Sequence, residues 1–133
     1  MILLAMWFRQ DNGKINETEQ KIIQRLKDGF IERAKQSRIL AEHISQSPYP
    51  TMVCGDFNDT PVSYCYQTVS KNLTDAFVSC RRGIGQTYVG KIPLLRIDYI
   101  FHSKDIESLS FKIHPENYSD HHPISTEFRL VKD

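Results

Sequence analysis

Apolar residues recur every three or four positions between residues 22 and 44, which is the spacing of one face of an α-helix. Asn16 followed three residues later by Glu19 is typical of a helix N-terminus, and Ser47-Pro48 interrupts the pattern. We therefore expect one amphipathic helix that begins at Asn16 and ends before Ser47-Pro48. Its predicted apolar face consists of Ile22, Ile23, Leu26, Phe30, Ala34, Ala41 and Ile44.

A short apolar run, Thr51-Met52-Val53-Cys54, follows without polar alternation and predicts a strand that is covered on both faces. Gly55 ends this strand. Thr60-Pro61 then predicts a second helix, with Thr60 as its cap and Pro61 at the first helical position, where the backbone needs no N–H donor. Residues 56–59 should form the loop between the strand and the helix.

Beyond Asn72 the pattern changes to β-type segments at residues 86–89, 96–102, 109–114 and 124–131, and residues 1–8 are also typical of a strand. We find neither an internal repeat nor a linker. This order predicts a single α/β domain over residues 1–133, with one sheet that carries its helices on one face. The apolar opening is far shorter than the roughly 20 residues that span a bilayer, so we expect no membrane span.

Composition narrows the function classes. The formal net charge is +1, with 17 basic and 16 acidic side chains, which disfavours a dedicated nucleic-acid binder and gives no information on the compartment. The three cysteines match neither a disulfide framework nor a zinc site, so we expect free thiols, with Cys54 and Cys65 buried.

The first polar segment with candidate chemistry is Gly55-Asp56-Phe57-Asn58, where two short polar side chains follow a strand end. A helix-capping turn is the alternative. The second is Arg96-Ile97-Asp98-Tyr99-Ile100, in which an acid lies among apolar residues. Burial of that acid requires a partner such as a histidine, an arginine or a metal ion; alternatively, Asp98 is half exposed and pairs with Arg96 or a backbone amide.

The third segment is Ser119-Asp120-His121-His122-Pro123, where a carboxylate adjoins an imidazole. A single histidine in a loop is usually a surface residue. Two carboxylates, an asparagine and a histidine from separate strand ends, however, are the groups that metal-assisted hydrolysis requires.

These three motifs, in this order, resemble the C-terminal half of the endonuclease/exonuclease/phosphatase family, which includes deoxyribonuclease I. The similarity runs from about residue 18 to the end of the chain. The resemblance implies half of a four-layer α-β-β-α sandwich and a metal-dependent phosphoester hydrolase. Its substrate would be a phosphoester of a nucleic acid, a phospholipid or a sugar phosphate head group.

The resemblance also implies roles for individual residues. Asp56 would orient or deprotonate the attacking water, and Asn58 would hold a phosphate oxygen. Asp98 would fix the imidazole of His121 and favour its charged form. Asp120, together with Asp56, would hold Mg²⁺ or Mn²⁺, which prefer carboxylate oxygens.

Two further residues, Thr87 and Arg96, precede or begin the strand of Asp98, where relatives often contact the substrate. We assign them to substrate binding on that resemblance. Surface solubility accounts for an arginine in this region about equally well.

The chain departs from the family in its first half. The family's N-terminal half supplies an asparagine, a metal-binding glutamate and another histidine, and no segment of this sequence matches them. We therefore expect a truncated domain whose second sheet face is bare, and two copies could pack through that face. A catalytically inactive remnant that serves as an interaction module is the alternative function.

Overall fold

The computed structural model describes residues 17–90, 92–116 and 118–131. The chain divides into a unit that ends at Glu32 and a unit that begins at Arg33. The predicted strand over residues 1–8 and the predicted cap at Asn16 lie outside the described residues. Among those described, no helix combines the length and the apolarity needed to cross a membrane.

The long amphipathic helix is confirmed as α1, Glu17–Ser45. Its buried positions are concentrated toward the C-terminal end, where Ser37 and Ile44 are buried. Two of the residues predicted for the apolar face, Ile22 and Phe30, are instead exposed, at 43% each.

The strand that ends at the first motif is β1, Met52–Asp56, and its partner is β3, Asp98–His102. The two strands are antiparallel, and their register places Asp56 opposite Asp98. A two-residue strand, β2 at Thr74–Asp75, pairs with the other edge of β3 at Phe101 and His102. The pairing of β1 with β3 is what brings the first two motifs side by side.

The second predicted helix is present but begins later than expected. Helix α2 is Tyr64–Ser70, and its cap is Ser63, whose hydroxyl accepts the N–H of Tyr66. Thr60 was predicted as the cap, but its carbonyl accepts the N–H of Ser63 in a turn that precedes the helix. A serine just before the helical run competes as a cap because it offers the same type of side-chain acceptor.

Sequence patterning missed β2 and a one-turn helix, α3 at Ala76–Cys80. Asp75 ends β2 and caps α3 by accepting the N–H of Phe77. Elements of two and five residues are too short to show a period. Residues 86–89 were predicted as a strand; only Tyr88 forms isolated bridges there, to Leu95 and His121.

The last two strands, β4 at Ile106–Ile113 and β5 at Ile124–Leu130, form a separate antiparallel ladder with an irregularity between Ser108 and Ser110. The α/β class is confirmed. In place of one ladder, the described strands form a three-stranded and a two-stranded ladder.

The core has two parts, one on each face of β3, because successive side chains of a strand point to opposite faces. Tyr99 and Phe101 pack with residues of α1 and α2, whereas Ile100 packs with residues of α3 and β4. The first cluster contains Ile44, Tyr66, Val69, Leu73, Tyr99 and Phe101, with Leu40, Val53 and Phe57 packed against it. The second contains Ala76, Phe77, Ile100 and Phe111, with Cys80, Ile113, Ile124 and Phe128 packed against it.

This arrangement corrects the argument for a homodimer. One face of the sheet was expected to be bare, yet both faces of β3 are covered within the chain: Tyr99 and Phe101 are buried on one face and Ile100 on the other. No feature of the described residues supports pairing of two copies. The three thiols are free as expected, but Cys54 is exposed and only Cys65 is buried.

Candidate functional site

Asp56 is the last residue of β1, and its carboxylate is held by the loop that follows. The backbone N–H of Asn58 donates to Oδ1 of Asp56 at 2.8 Å, and the side-chain amide of Asn58 donates to Oδ2 at 2.9 Å. Asn58 adopts a left-handed backbone conformation, with φ of 48°, which asparagine tolerates better than most residues. Both carboxylate oxygens therefore have a defined orientation at an exposed strand end.

Asp98 begins β3 directly opposite Asp56 and pairs with the imidazole of His121. Nδ1 of His121 lies 2.9 Å from Oδ2 of Asp98. An ionised carboxylate can only accept, so Nδ1 is the donor and Nε2 is directed elsewhere. The partner that burial of Asp98 required is thus a histidine from a segment 23 residues further along the chain.

The charged form of His121 is favoured by its surroundings. The hydrogen bond to Asp98 raises the pKa of His121 above its ordinary value, and the negative charges of Asp98, Asp56 and Asp120 raise it further. Partial burial opposes these effects by lowering the pKa. The net direction is upward, so the imidazolium persists to higher pH than in a free histidine.

The three side chains converge on one point. Nε2 of His121 lies 4.0 Å from Oδ2 of Asp56, which is longer than a direct hydrogen bond. Among the described residues, one group of three or more metal-ligating side chains has donor atoms within 4.8 Å of one another, and it consists of Asp56, Asp98 and His121. All three are at least partly exposed to solvent, so a ligand can reach them.

Asp120 lies beside this group but is not part of it. Its side chain is exposed, and its backbone carbonyl accepts the N–H of Val89. The turn is shaped by Ser119, whose hydroxyl accepts the N–H of His121 at 2.9 Å. A metal-binding role for Asp120 stays a prediction.

The two residues assigned to substrate binding are placed differently from that expectation. Arg96 is only 6% exposed, and its guanidinium pairs with Asp75 at 2.6 Å, so its charge is already neutralised inside the chain. Thr87 is fully buried, and its hydroxyl accepts two backbone N–H groups. Neither side chain can contact a substrate, because burial and internal partners occupy both.

An aromatic side chain, Tyr88, also contacts the imidazole of the site. The ring of Tyr88 meets the ring of His121 edge to face, with centroids 5.2 Å apart. Gly90 makes room for it, since a Cβ atom at that position would overlap the ring and hydroxyl of Tyr88. The only available signal was an aromatic residue in a β-type segment before the motif of Asp98.

Comparison with known proteins adds to this geometry. The family model described as "Endonuclease/Exonuclease/phosphatase family" matches residues 26–121, which is more than half of the chain and includes all three motifs up to His121. Among curated proteins, none matches the chain.

Several solved structures share the fold. An endonuclease/exonuclease/phosphatase from Bacteroides vulgatus is 28% identical, with a TM-score of 0.64, and the match covers 74% of this chain and 44% of that one. A mannosyl-6-phosphatase from Bacteroides thetaiotaomicron is 22% identical, with a TM-score of 0.64, over 74% of this chain and 46% of its own. The human Nocturnin catalytic domain is 23% identical, with a TM-score of 0.63, over 76% and 42%. The chain thus spans less than half the length of these structures.

Proposed function

This chain belongs to the endonuclease/exonuclease/phosphatase family, and we propose that it hydrolyses phosphoesters at the site formed by Asp56, Asp98 and His121. The observation that carries this proposal is the convergence of three motifs, with Nδ1 of His121 2.9 Å from Asp98 and Nε2 4.0 Å from Asp56. Two carboxylates and an oriented imidazole are the groups that such a hydrolysis needs.

Asp56 is the candidate for orienting the attacking water. Its Oδ2 faces the imidazole of His121 across 4.0 Å, and that spacing suits a water molecule that donates to Asp56 and accepts from Nε2 of His121. Asn58 fixes the direction of both carboxylate oxygens, so the base is oriented before the substrate arrives. The Asn58 amide is thereby engaged with Asp56, and contact with a phosphate oxygen would use its remaining N–H.

His121 is the candidate for stabilising negative charge on the phosphoryl group. Asp98 accepts the Nδ1 proton and favours the imidazolium, which leaves Nε2–H free to donate toward Asp56 and the substrate. A charged donor already aimed at the place where negative charge increases needs no reorientation during the reaction.

The carboxylates in this region fit a hard divalent cation. Mg²⁺ is typically bound by one or two carboxylates together with water and substrate phosphates, and Asp56 and Asp120 are exposed carboxylates whose charges both act on His121. Asp98 is less suited as a ligand because His121 already occupies one of its oxygens. When bound, Mg²⁺ or Mn²⁺ would neutralise charge on the phosphoryl group.

The substrate class is a phosphoester, whether of a nucleic acid, a phospholipid or a sugar phosphate. One structure of the same fold is described as a mannosyl-6-phosphatase, and another as an endonuclease/exonuclease/phosphatase. A fold alone does not fix the substrate, and the choice among these phosphoesters depends on surrounding loops.

The test is hydrolysis of a chromogenic phosphodiester and a chromogenic phosphomonoester by the purified chain, with Mg²⁺ or Mn²⁺ added. Asp56→Asn and His121→Gln should each lower the rate by about 10²-fold or more, because each removes a group that acts on the reacting atoms. His114→Gln is the matched control, since His114 also hydrogen-bonds through its imidazole, to Ser125 in β5. The His114→Gln variant should hydrolyse both substrates at the rate of the unmodified chain.

Equal rates for the chain, Asp56→Asn and His121→Gln would contradict the proposal. A chain that binds a phosphate ester without turnover, and loses that binding in His121→Gln, would instead support the alternative of an inactive binding module. Because the chain spans less than half the length of the matched structures, we expect slow turnover. The ratio of the hydrolysis rate of each variant to that of the unmodified chain therefore decides the outcome.

A further inference from the structure

Thr87 is fully buried, yet it is hydrogen-bonded to the backbone of the segments that carry the site. Its hydroxyl oxygen accepts the backbone N–H of Ile97 at 3.1 Å and the backbone N–H of Asp98 at 3.2 Å. Two consecutive amides thus converge on one side-chain oxygen, directly where β3 begins. The position of the Asp98 backbone is set by this contact as well as by the pairing of β3 with β1.

The backbone of Thr87 connects the same place to the histidine segment. Its N–H donates to the carbonyl of Leu95 at 2.9 Å, and its carbonyl accepts the N–H of His122 at 2.7 Å. The next residue, Tyr88, forms isolated bridges to both Leu95 and His121. Residues 87 and 88 therefore lie between the chain segments that carry the two members of the Asp98–His121 pair.

Within the described residues, no neighbouring strand provides an acceptor for the amides of Ile97 and Asp98. Their acceptor is the Thr87 hydroxyl. β2 pairs with β3 only at Phe101 and His102, so it does not extend to Ile97 or Asp98. Without the hydroxyl, two amides in a buried or half-buried position would lose their acceptor, and the backbone would shift to recover one. Any such shift moves the carboxylate of Asp98 relative to His121.

We propose that Thr87 is the positioning residue of the Asp98–His121 pair: its hydroxyl holds Asp98 and its carbonyl holds the segment of His121. It acts through these two residues and does not touch the substrate. The inference rests on the proposed function for its catalytic consequence, while the positioning itself is a property of the folded chain.

The experiment compares three variants with the unmodified chain. Thr87→Val keeps the size and branching of threonine but removes the acceptor, whereas Thr87→Ser keeps the hydroxyl. Thr126→Val is the matched control, because Thr126 also uses its hydroxyl to bind a backbone group, the carbonyl of Ser110, in the ladder of β4 and β5.

The first readout is the proton resonance of His121 Nδ1 in an NMR spectrum. A proton held between an imidazole and a carboxylate appears far downfield, and its detection requires no turnover. We expect this resonance in the unmodified chain, in Thr87→Ser and in Thr126→Val, and we expect it to be lost or moved upfield in Thr87→Val.

The second readout is hydrolysis. Thr87→Val should lower kcat by about 10²-fold with KM unchanged, the effect expected when reacting groups are misplaced by about 1 Å. Thr87→Ser should recover most of the rate. An equal loss of rate in Thr126→Val would indicate a general effect on folding and would overturn the proposal.

Retention of the downfield resonance in Thr87→Val would also overturn it. If Thr87→Val does not fold, Thr87→Ala compared with Thr87→Ser answers the same question, because these two variants differ by the hydroxyl alone. If the unmodified chain shows no turnover but Thr87→Val loses the resonance, the positioning role stands and the proposed hydrolysis fails.

Discussion

Arg96 and Asp98 are two residues apart, and each forms a pair with a side chain of opposite charge. The two pairs differ in how deeply they are buried and in whether a polar atom is left without a partner in the pair. Arg96 pairs with Asp75, with side chains 6% and 3% exposed, whereas Asp98 pairs with His121, with side chains 15% and 28% exposed. The first pair has its hydrogen-bond partners within the chain. The second retains an imidazole nitrogen directed toward Asp56.

The buried pair is satisfied from several directions. Asp75 accepts the hydroxyl of Tyr66 and the N–H of Phe77 as well as the guanidinium of Arg96. The guanidinium lies over the rings of Phe77 and Tyr99, at 4.6 and 4.9 Å from their centroids. This pair joins β2, α3 and the start of β3, and its role is structural.

The two pairs therefore differ in whether their polar atoms remain available to a ligand. A charge whose hydrogen bonds are all made inside the chain cannot respond to a ligand. A pair at a strand end, with one polar atom directed toward a nearby exposed carboxylate, can respond to a ligand.

The largest effect is expected from Asp75→Ala. This change leaves the guanidinium of Arg96 buried without its carboxylate, so the free energy of unfolding should fall by about 3–5 kcal/mol. Urea denaturation followed by circular dichroism measures it. If Asp75→Ala does not fold, Asp75→Asn should show a smaller loss in the same direction.

The double variant Asp75→Leu/Arg96→Met is the control for the buried pair. Replacing both charges by apolar groups should recover part of the lost stability, because no buried charge is left unpaired, whereas the Tyr66 hydroxyl and the Phe77 N–H still lose their acceptor. A loss in the double variant as large as in Asp75→Ala would show that these two hydrogen bonds, and not the unpaired charge, carry the effect.

A smaller and pH-dependent effect is expected from Asp98→Asn. The pKa of His121 is raised in the folded chain above its ordinary value of 6.5, so the pair stabilises the fold fully below about pH 6.5 and loses that contribution as the pH rises through the raised pKa. Asp98→Asn should therefore reduce the free energy of unfolding by about 1 kcal/mol at pH 6, and by less at pH 9.

Urea titrations of Asp98→Asn and of the unmodified chain at the two pH values measure this difference. His114→Gln serves as the control, since its imidazole hydrogen-bonds to a hydroxyl instead of a carboxylate. A stability loss in Asp98→Asn that grows with pH would contradict the assignment of the charged imidazole.

The smallest effect is expected at an exposed pair, Glu107 with Arg129, which bridges β4 and β5. Both side chains are about half exposed or more, so Glu107→Ala should cost at most about 1 kcal/mol. The difference should shrink in high salt, which screens surface charges. A loss of unfolding free energy as large as that of Asp75→Ala would contradict the expectation that buried ion pairs contribute more to stability than exposed ones.

Much of the candidate site was visible in the sequence, because each motif is local. Gly55-Asp56-Phe57-Asn58 predicts a strand end that carries polar groups. Asp98 lies among apolar residues, so its burial required a partner whatever the fold of the rest of the chain. The long helix was predictable from its period, since that period depends on neighbours three and four residues away.

The errors lie where a side chain had more than one available partner or position. Arg96 was assigned to the substrate, but its partner, Asp75, lies 21 residues earlier in a strand too short to be recognised. Cys54 was expected to be buried because its neighbours are apolar, yet it is exposed. Ser63, not Thr60, caps α2, although both offer a hydroxyl.

The order of residues is enough to identify the groups that this protein has for chemistry and where they occur along the chain. Their pairing depends on the fold, which places Asp98 against His121, Arg96 against Asp75, and Thr87 in hydrogen-bond contact with the backbone on both sides of the first pair. The reason is that partners 10 to 23 residues apart meet through strand register and burial. Both depend on which apolar faces the whole chain can cover.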